Sequence, residues 1–408
     1  MFDNIVVFRN NQNGTLIDKG MLAEALLFYD KVHLLLNRGT LSALWNQLGA
    51  EGVDRLIDRP EVRISYLCQN FGTIGTGQPG LRSYNYAIFQ LGGAAKKKKL
   101  SKQEEMEQIL ERSLGRSKIT RKRIARVMST TSFPRVEDDM PPDQLTRGAS
   151  GDLDDETFVE AAIGSALRAL VPGYALQRSW HFRVLKFNDG SFTVDTNLDF
   201  DAINIEYHKT VPPEHSSITP DYLLTFIYDS HVGTYFASRY SAEFVHDPLC
   251  SSIMKLKYLN LFRRRERSVE EIDLFQDLHL EGRSLSETLN RNERTFDEFF
   301  RLLDQARKFK AWLRNVNPDE KLMREYFDAV TRQTWIDKLP TKGMRWVITT
   351  GLAAAVEALY PTGTAMAAAQ GLSLADATVL DKILKGWKPD QFVKGPMSRF
   401  VDGAQHSA

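Results

Sequence analysis

The sequence predicts a mixed α+β protein: a small α/β domain at the N-terminus, a β-hairpin-containing middle, and a mainly α-helical C-terminal half with a small-residue-rich helical hairpin. Three features predict it. Short apolar runs alternate with helical periodicity over residues 1–95, as strands alternate with helices in α/β units. Asp189-Gly190 separates two alternating runs, which marks a tight hairpin. From Ser268 onward, Ser or Thr repeatedly precedes Glu by three residues, the capping-box signature of a helix start. The expected segments are 1–95 (small α/β domain), 96–151 (basic helical insertion and polar linker) and 152–408 (mainly helical, with the β-hairpin near 180–200).

In order along the chain, Ile5–Phe8, Lys31–Leu36, Val62–Cys68 and Tyr84–Leu91 read as strands. Leu22–Phe28 has a helical period, and a helix capped by Thr40 is expected through Leu48, with another over Gly52–Ile57. Between the third and fourth strands lies Phe71–Leu81, where Gly75, Gly77 and Gly80 spell G-x-G-x-x-G. A phosphate site needs a helix to begin there, so that its amides meet the anion. Pro79 and the strand-like run that follows make it a plain loop instead. His33, inside an apolar strand, reads as a core or edge histidine.

The middle of the chain is charged. Residues 96–126 carry 12 basic and 4 acidic side chains, and residues 137–160 carry 9 acidic and 1 basic. These blocks nearly cancel, and the whole chain has a formal charge of +1, so no global field calls for nucleic acid or an anionic membrane. Lys96, Lys97, Lys98, Lys99, Arg121, Lys122 and Arg123 are the candidate phosphate or anion contacts. No aromatic residue is interleaved among them, which argues against a single-strand stacking platform. Residues 129–151 read as a linker.

Beyond it, Asp154-Asp155-Glu156 opens a helix to about Leu170, acidic at its start as the helix dipole favours. Thr219-Pro220-Asp221 opens another, with Thr as cap and Pro at the first position. Five of the eight histidines fall in this region: His181, His208, His215, His231 and His246. His208, His215, His231, His246 and Asp247 are the candidates for acid–base chemistry. Glu206, His208, Glu214 and His215 cluster in sequence, but no metal signature such as H-E-x-x-H is present, so no metal is assigned. No cofactor is implied. Cys68 and Cys250, the two cysteines, give neither a disulfide framework nor a thiol-rich site. Arg263-Arg264-Arg265 and Arg267 are expected in a loop or helix end as a salt-bridging surface.

The C-terminal half places Phe296, Phe299, Phe300, Leu303, Phe309, Trp312 and Leu313 on one helical stripe, the pattern of a core face. Ser268/Glu271, Ser284/Glu287 and Thr295/Glu298 are expected capping boxes. Within residues 343–371, two short helical runs flank Pro361-Thr362-Gly363. Gly351 and Ala355, then Gly363, Ala367 and Gly371, recur four apart and offer a face on which another backbone can approach closely. Neither run reaches the ~20 apolar residues of a spanning helix, and Glu357 interrupts the first. The hairpin is expected to pack in a soluble core or to enter a membrane conditionally.

The start of the chain has no basic run followed by a long apolar run, so a cytoplasmic protein is expected. The functional expectation is an effector or regulatory protein. Its N-terminal part would bind a partner or signal, and its helical C-terminal part would respond, with conditional association at the inner face of a membrane. The expected partners are a protein, a second copy of the chain, or an anionic membrane surface. The alternatives are an enzyme acting on a nucleotide or nucleic acid through the histidine-rich middle, and a non-catalytic, oligomer-forming scaffold.

Overall fold

A computed structural model describes residues 2–8, 17–66, 70–77, 82–89, 104, 107, 111, 122, 142–257, 259–280, 283–314, 316, 321–331 and 387–402. The chain begins β1 (Asn4–Val7), α1 (Lys19–Phe28), β2 (Lys31–Leu36), α2 (Arg38–Ile57), β3 (Val62–Tyr66), β4 (Asn70–Thr76) and β5 (Ser83–Phe89). Then come α3 (Pro142–Asp152), α4 (Glu156–Leu170), β6 (Phe182–Lys186), β7 (Phe192–Thr196), α5 (Phe200–Tyr207), α6 (Pro220–Arg239), β8 (Glu243–Val245) and α7 (Pro248–Lys257). The rest is helical: α8 (Leu259–His279), α9 (Leu285–Asn290), α10 (Phe296–Gln305), α11 (Arg307–Arg314), α12 (Leu322–Thr331), α13 (Pro389–Phe392), a π-helical turn (Val393–Met397) and α14 (Ser398–Asp402).

The fold is mixed, with a helix-rich C-terminal half as the sequence predicts. It divides into two compact units. One holds residues 4–22 and 31–266; the other holds residues 1–3, 23–30 and 267–408. In the first unit, β6 and β7 join β4 and β5 in one antiparallel sheet of order β4-β5-β7-β6. The second sheet is fully parallel, in the order β3-β2-β1-β8.

Helix α6 packs against both sheets of this α/β unit. Tyr86 of β5 donates its hydroxyl to Leu224 O at 3.1 Å, and the Thr73 amide of β4 donates to Thr225 Oγ1 at 3.2 Å. On the side facing the parallel sheet, Gly233 lets Phe244 of β8 approach: a Cβ there would lie 2.9 Å from the ring. Val6, Phe8, Leu35, Val232, Phe236 and Phe244 form one core, and Ile163, Leu167, Phe182, Phe192, Leu223 and Ile227 anchor another. Each such side chain, fully buried, contributes about 1.5–3 kcal/mol.

The helical unit closes on aromatic side chains. Phe309 meets Phe28 at 6.2 Å and stacks on Phe392 at 5.0 Å, so the C-terminal run docks on the core. The stripe from Phe296 to Leu313 is buried as its spacing predicts. Thr295 and Glu298 form a complete capping box, and Ser284 caps α9.

Several local expectations change. Asn37 caps α2 and Thr40 is its box partner three residues in, and α2 bends at Gly49, whose φ of 70° suits glycine. Asn70–Thr76 is strand β4, not a loop, because Phe71, Thr73 and Gly75 pair with Ile88, Tyr86 and Tyr84 of β5. No phosphate-cradling helix follows; β5 does. Residues 142–151 of the expected linker belong to helix α3. Ser268 lies inside α8 rather than at its start, and Arg263, Arg265 and Arg267 are helical too. Among the described residues, no helix is long and apolar enough to cross a membrane.

Candidate functional site

β1 lies between β2 and β8, and the chain leaves β1 toward β2 while β8 takes the other side. In open α/β sheets, ligands bind outside the carboxyl ends of strands where the order reverses in this way. Phe8 follows β1, and its amide extends the ladder to Val245 O at 3.0 Å. His246 and Asp247 follow β8, so the topology itself carries them to that edge.

The local sequence fixes their geometry. Asp247-Pro248 is a helix start: the Asp247 carboxylate accepts from the Cys250 amide at 2.9 Å, and Pro248 occupies the first helical position. Cys250 is thereby held on the first turn of α7. The donor atoms of His246, Asp247 and Cys250 all lie within 4.8 Å of one another, and all three residues are buried. Cys250 is not in a disulfide. Tyr222, on the first turn of α6, lies near them; burial, Tyr207, Asp247 and Cys250 push its hydroxyl up to about 12.

The His246 side chain is fully buried. Its ring stands perpendicular to Phe8 at 5.0 Å and tilted to Phe244 at 5.7 Å. Nδ1 faces both the Asp247 carboxylate and, at 2.8 Å, the Asp247 amide. The amide donates and Nδ1 accepts. Nε2, on the other side of the ring, is buried without a hydrogen-bond partner among the described residues, a costly condition for a polar atom.

A second cluster joins α3, α6 and α7. His231 Nδ1 lies 2.8 Å from Asp152 Oδ2, and Lys257 Nζ bonds the other carboxylate oxygen. Burial opposes ionisation of Asp152, but the bonds to His231 and Lys257 outweigh it and hold its carboxyl below the usual range. Gly148 covers His231: a Cβ there would lie 2.5 Å from Nε2. Nearby Tyr86 is raised well above the ordinary tyrosine value by burial first, then by Asp152 and Tyr228.

The candidate histidines stand apart. His231 faces α3, whereas Gly233, two residues on, faces His246 across 3.2 Å from its Cβ position. Two residues along a helix are about 200° of rotation, so His231 and His246 lie on opposite sides of α6. His208 ends α5 with Nδ1 3.2 Å from Val211 O, and His215 is exposed in the following connection. Glu206 is in α5, against Gly173 and bonded to Lys209. Lys122 is helical and exposed. Lys96, Lys97, Lys98, Lys99, Arg121 and Arg123 lie outside the described residues, as do Cys68, Gly351, Ala355, Gly363, Ala367 and Gly371.

Sequence reading found His246 and Asp247 but passed over Cys250, Asp152 and Lys257. The Cys250 signal was present in His246-Asp247-Pro248-Leu249-Cys250, since a capping Asp followed by Pro places the third residue beyond it on the helix's first turn. Asp152 and Lys257 are over one hundred residues apart, and no local pattern joins them. No family model, curated protein or solved structure matches the chain.

Proposed function

We propose that this chain is an effector or regulatory protein. Its α/β unit receives a signal or partner, and its helical unit responds. The observation that carries the reading is the buried polar constellation at the carboxyl ends of β1 and β8. It joins an imidazole whose Nε2 has no hydrogen-bond partner among the described residues, a carboxylate and a thiol at a place where open α/β sheets bind ligands. The separation of His231 from His246 weighs against one acid–base centre.

A protein partner has a second support. β6 is an outer strand of its sheet, and Leu185 and Phe187 on and beside it are each 51% exposed. Outer strands with apolar side chains pair readily with another chain. The response limb is conditional association with the inner face of a membrane from the cytoplasm. It rests on the sequence of residues 343–371 and the basic block at 96–126.

The test is flotation of the full chain with neutral and anionic vesicles, beside dye release. Association that survives salt, with leakage lost in the Gly363→Leu, Gly371→Leu double variant, supports the membrane limb. Binding to anionic vesicles alone, abolished by salt, reflects only surface charge and removes that limb.

A further inference from the structure

We infer that His246, Asp247 and Cys250 form a binding site for a single late first-row divalent ion, with zinc the best fit. The inference rests on the regulatory reading for its role, and on geometry alone for the binding. The three residues supply one imidazole nitrogen, one carboxylate oxygen and one sulfur, each the donor type that zinc takes in proteins. Their donor atoms all lie within 4.8 Å of one another. Donors about 2.0–2.3 Å from a tetrahedral ion are about 3.3–3.8 Å apart, a spacing inside the 4.8 Å span of this set.

The charges balance. A divalent cation with one carboxylate and one thiolate has no net charge, which suits a fully buried place where an uncompensated ion is costly. In the balanced step the Cys250 thiol loses its proton to solvent as the sulfur–metal bond forms. The imidazole gives one lone pair and keeps a proton on its other nitrogen. Asp247 stays ionised. Nothing is oxidised or reduced. Three protein donors leave a fourth position for water or for a partner's group, the pattern of open rather than closed zinc sites.

The preorganisation is local. Pro248 and the Asp247 cap set the first turn of α7, and Phe8, Phe244 and Gly233 fix the His246 ring. His246 and Asp247 are buried at 4% and 6% exposure and Cys250 at 1%, so the site is too enclosed for surface charge to imitate it.

The experiment is titration of the full chain with Co²⁺, followed by displacement with Zn²⁺. The expected result is one ion per chain and a sulfur-to-cobalt charge-transfer band that Zn²⁺ abolishes. Cys68→Ser keeps the band and Cys250→Ser loses it. His246→Gln and Asp247→Asn weaken binding about tenfold or more, with circular dichroism showing each variant folded. Asn still caps a helix, so Asp247→Asn separates ligation from folding. Overturning results are no ion bound, even after refolding with Co²⁺ present; a band that follows Cys68; or binding indifferent to all three site variants. A bound ion that leaves vesicle flotation and partner capture unchanged keeps the site and removes the regulatory role. Flotation that responds to the site variants without any bound ion does the reverse.

Discussion

Gly148 and His231 are complementary: the absent Cβ of the one leaves the space that Nε2 of the other fills, 2.5 Å from where that carbon would stand. The contact lets His231 reach Asp152 and ties α3 to α6. Gly148→Ala should therefore destabilise the protein by about 1–3 kcal/mol through overpacking, read as a lower urea midpoint. In a His231→Ala background the same substitution should cost much less. An additive double-mutant cycle would show that the two residues do not compete for space.

His33 gives the acid sensitivity a sign. Burial, helped by the Arg63 charge, lowers its pKa to about 3, and Nε2 lies 2.7 Å from Ser65 Oγ. An unfolded histidine titrates near 6.5, so between about pH 6.5 and pH 3 the unfolded chain binds a proton that the folded one refuses. Stability should be unaffected by this group above pH 6.5. It should then fall with acid, by up to about 1.4 kcal/mol per pH unit. Urea unfolding at a series of pH values should show a shallower slope for His33→Gln over that window.

Much of the fold was legible because its signals are local. Lys31–Leu36 is the strand its β-branched and leucine run predicts, Thr219-Pro220 starts α6, and Gly190 turns the β6–β7 hairpin with φ of 84°. The aromatic stripe from Phe296 is core for the same reason. What escaped depends on pairing at a distance. Glycines made Asn70–Thr76 look like a loop, and only β5 makes it a strand. The site was half legible: His246 and Asp247 stood out as a pair, but the carboxyl-end position of β8 exists only once β8 has joined β1 across more than two hundred residues.

Lys310 of the helical unit is 8% exposed, and its ammonium group donates to the carbonyls of Leu26 and Tyr29 at the end of α1. A cation there satisfies carbonyls that the helix itself cannot. Lys310→Met keeps most of the stem and removes the donors, leaving buried carbonyls exposed to the penalty for unmade bonds. The expected loss is about 1–3 kcal/mol, measured by chemical unfolding. An unchanged midpoint would mean that the methionine packs well enough to offset both bonds.

We propose that a signal received at the carboxyl ends of β1 and β8 is answered by the helical unit, and amide hydrogen exchange of the full chain with and without Zn²⁺ tests this. The expected result is slower exchange over residues 244–257, together with a change, in either direction, among residues 267–331. Protection confined to residues 244–257 would reduce the ion to a local structural tie. Exchange unaltered throughout the chain would contradict the claim.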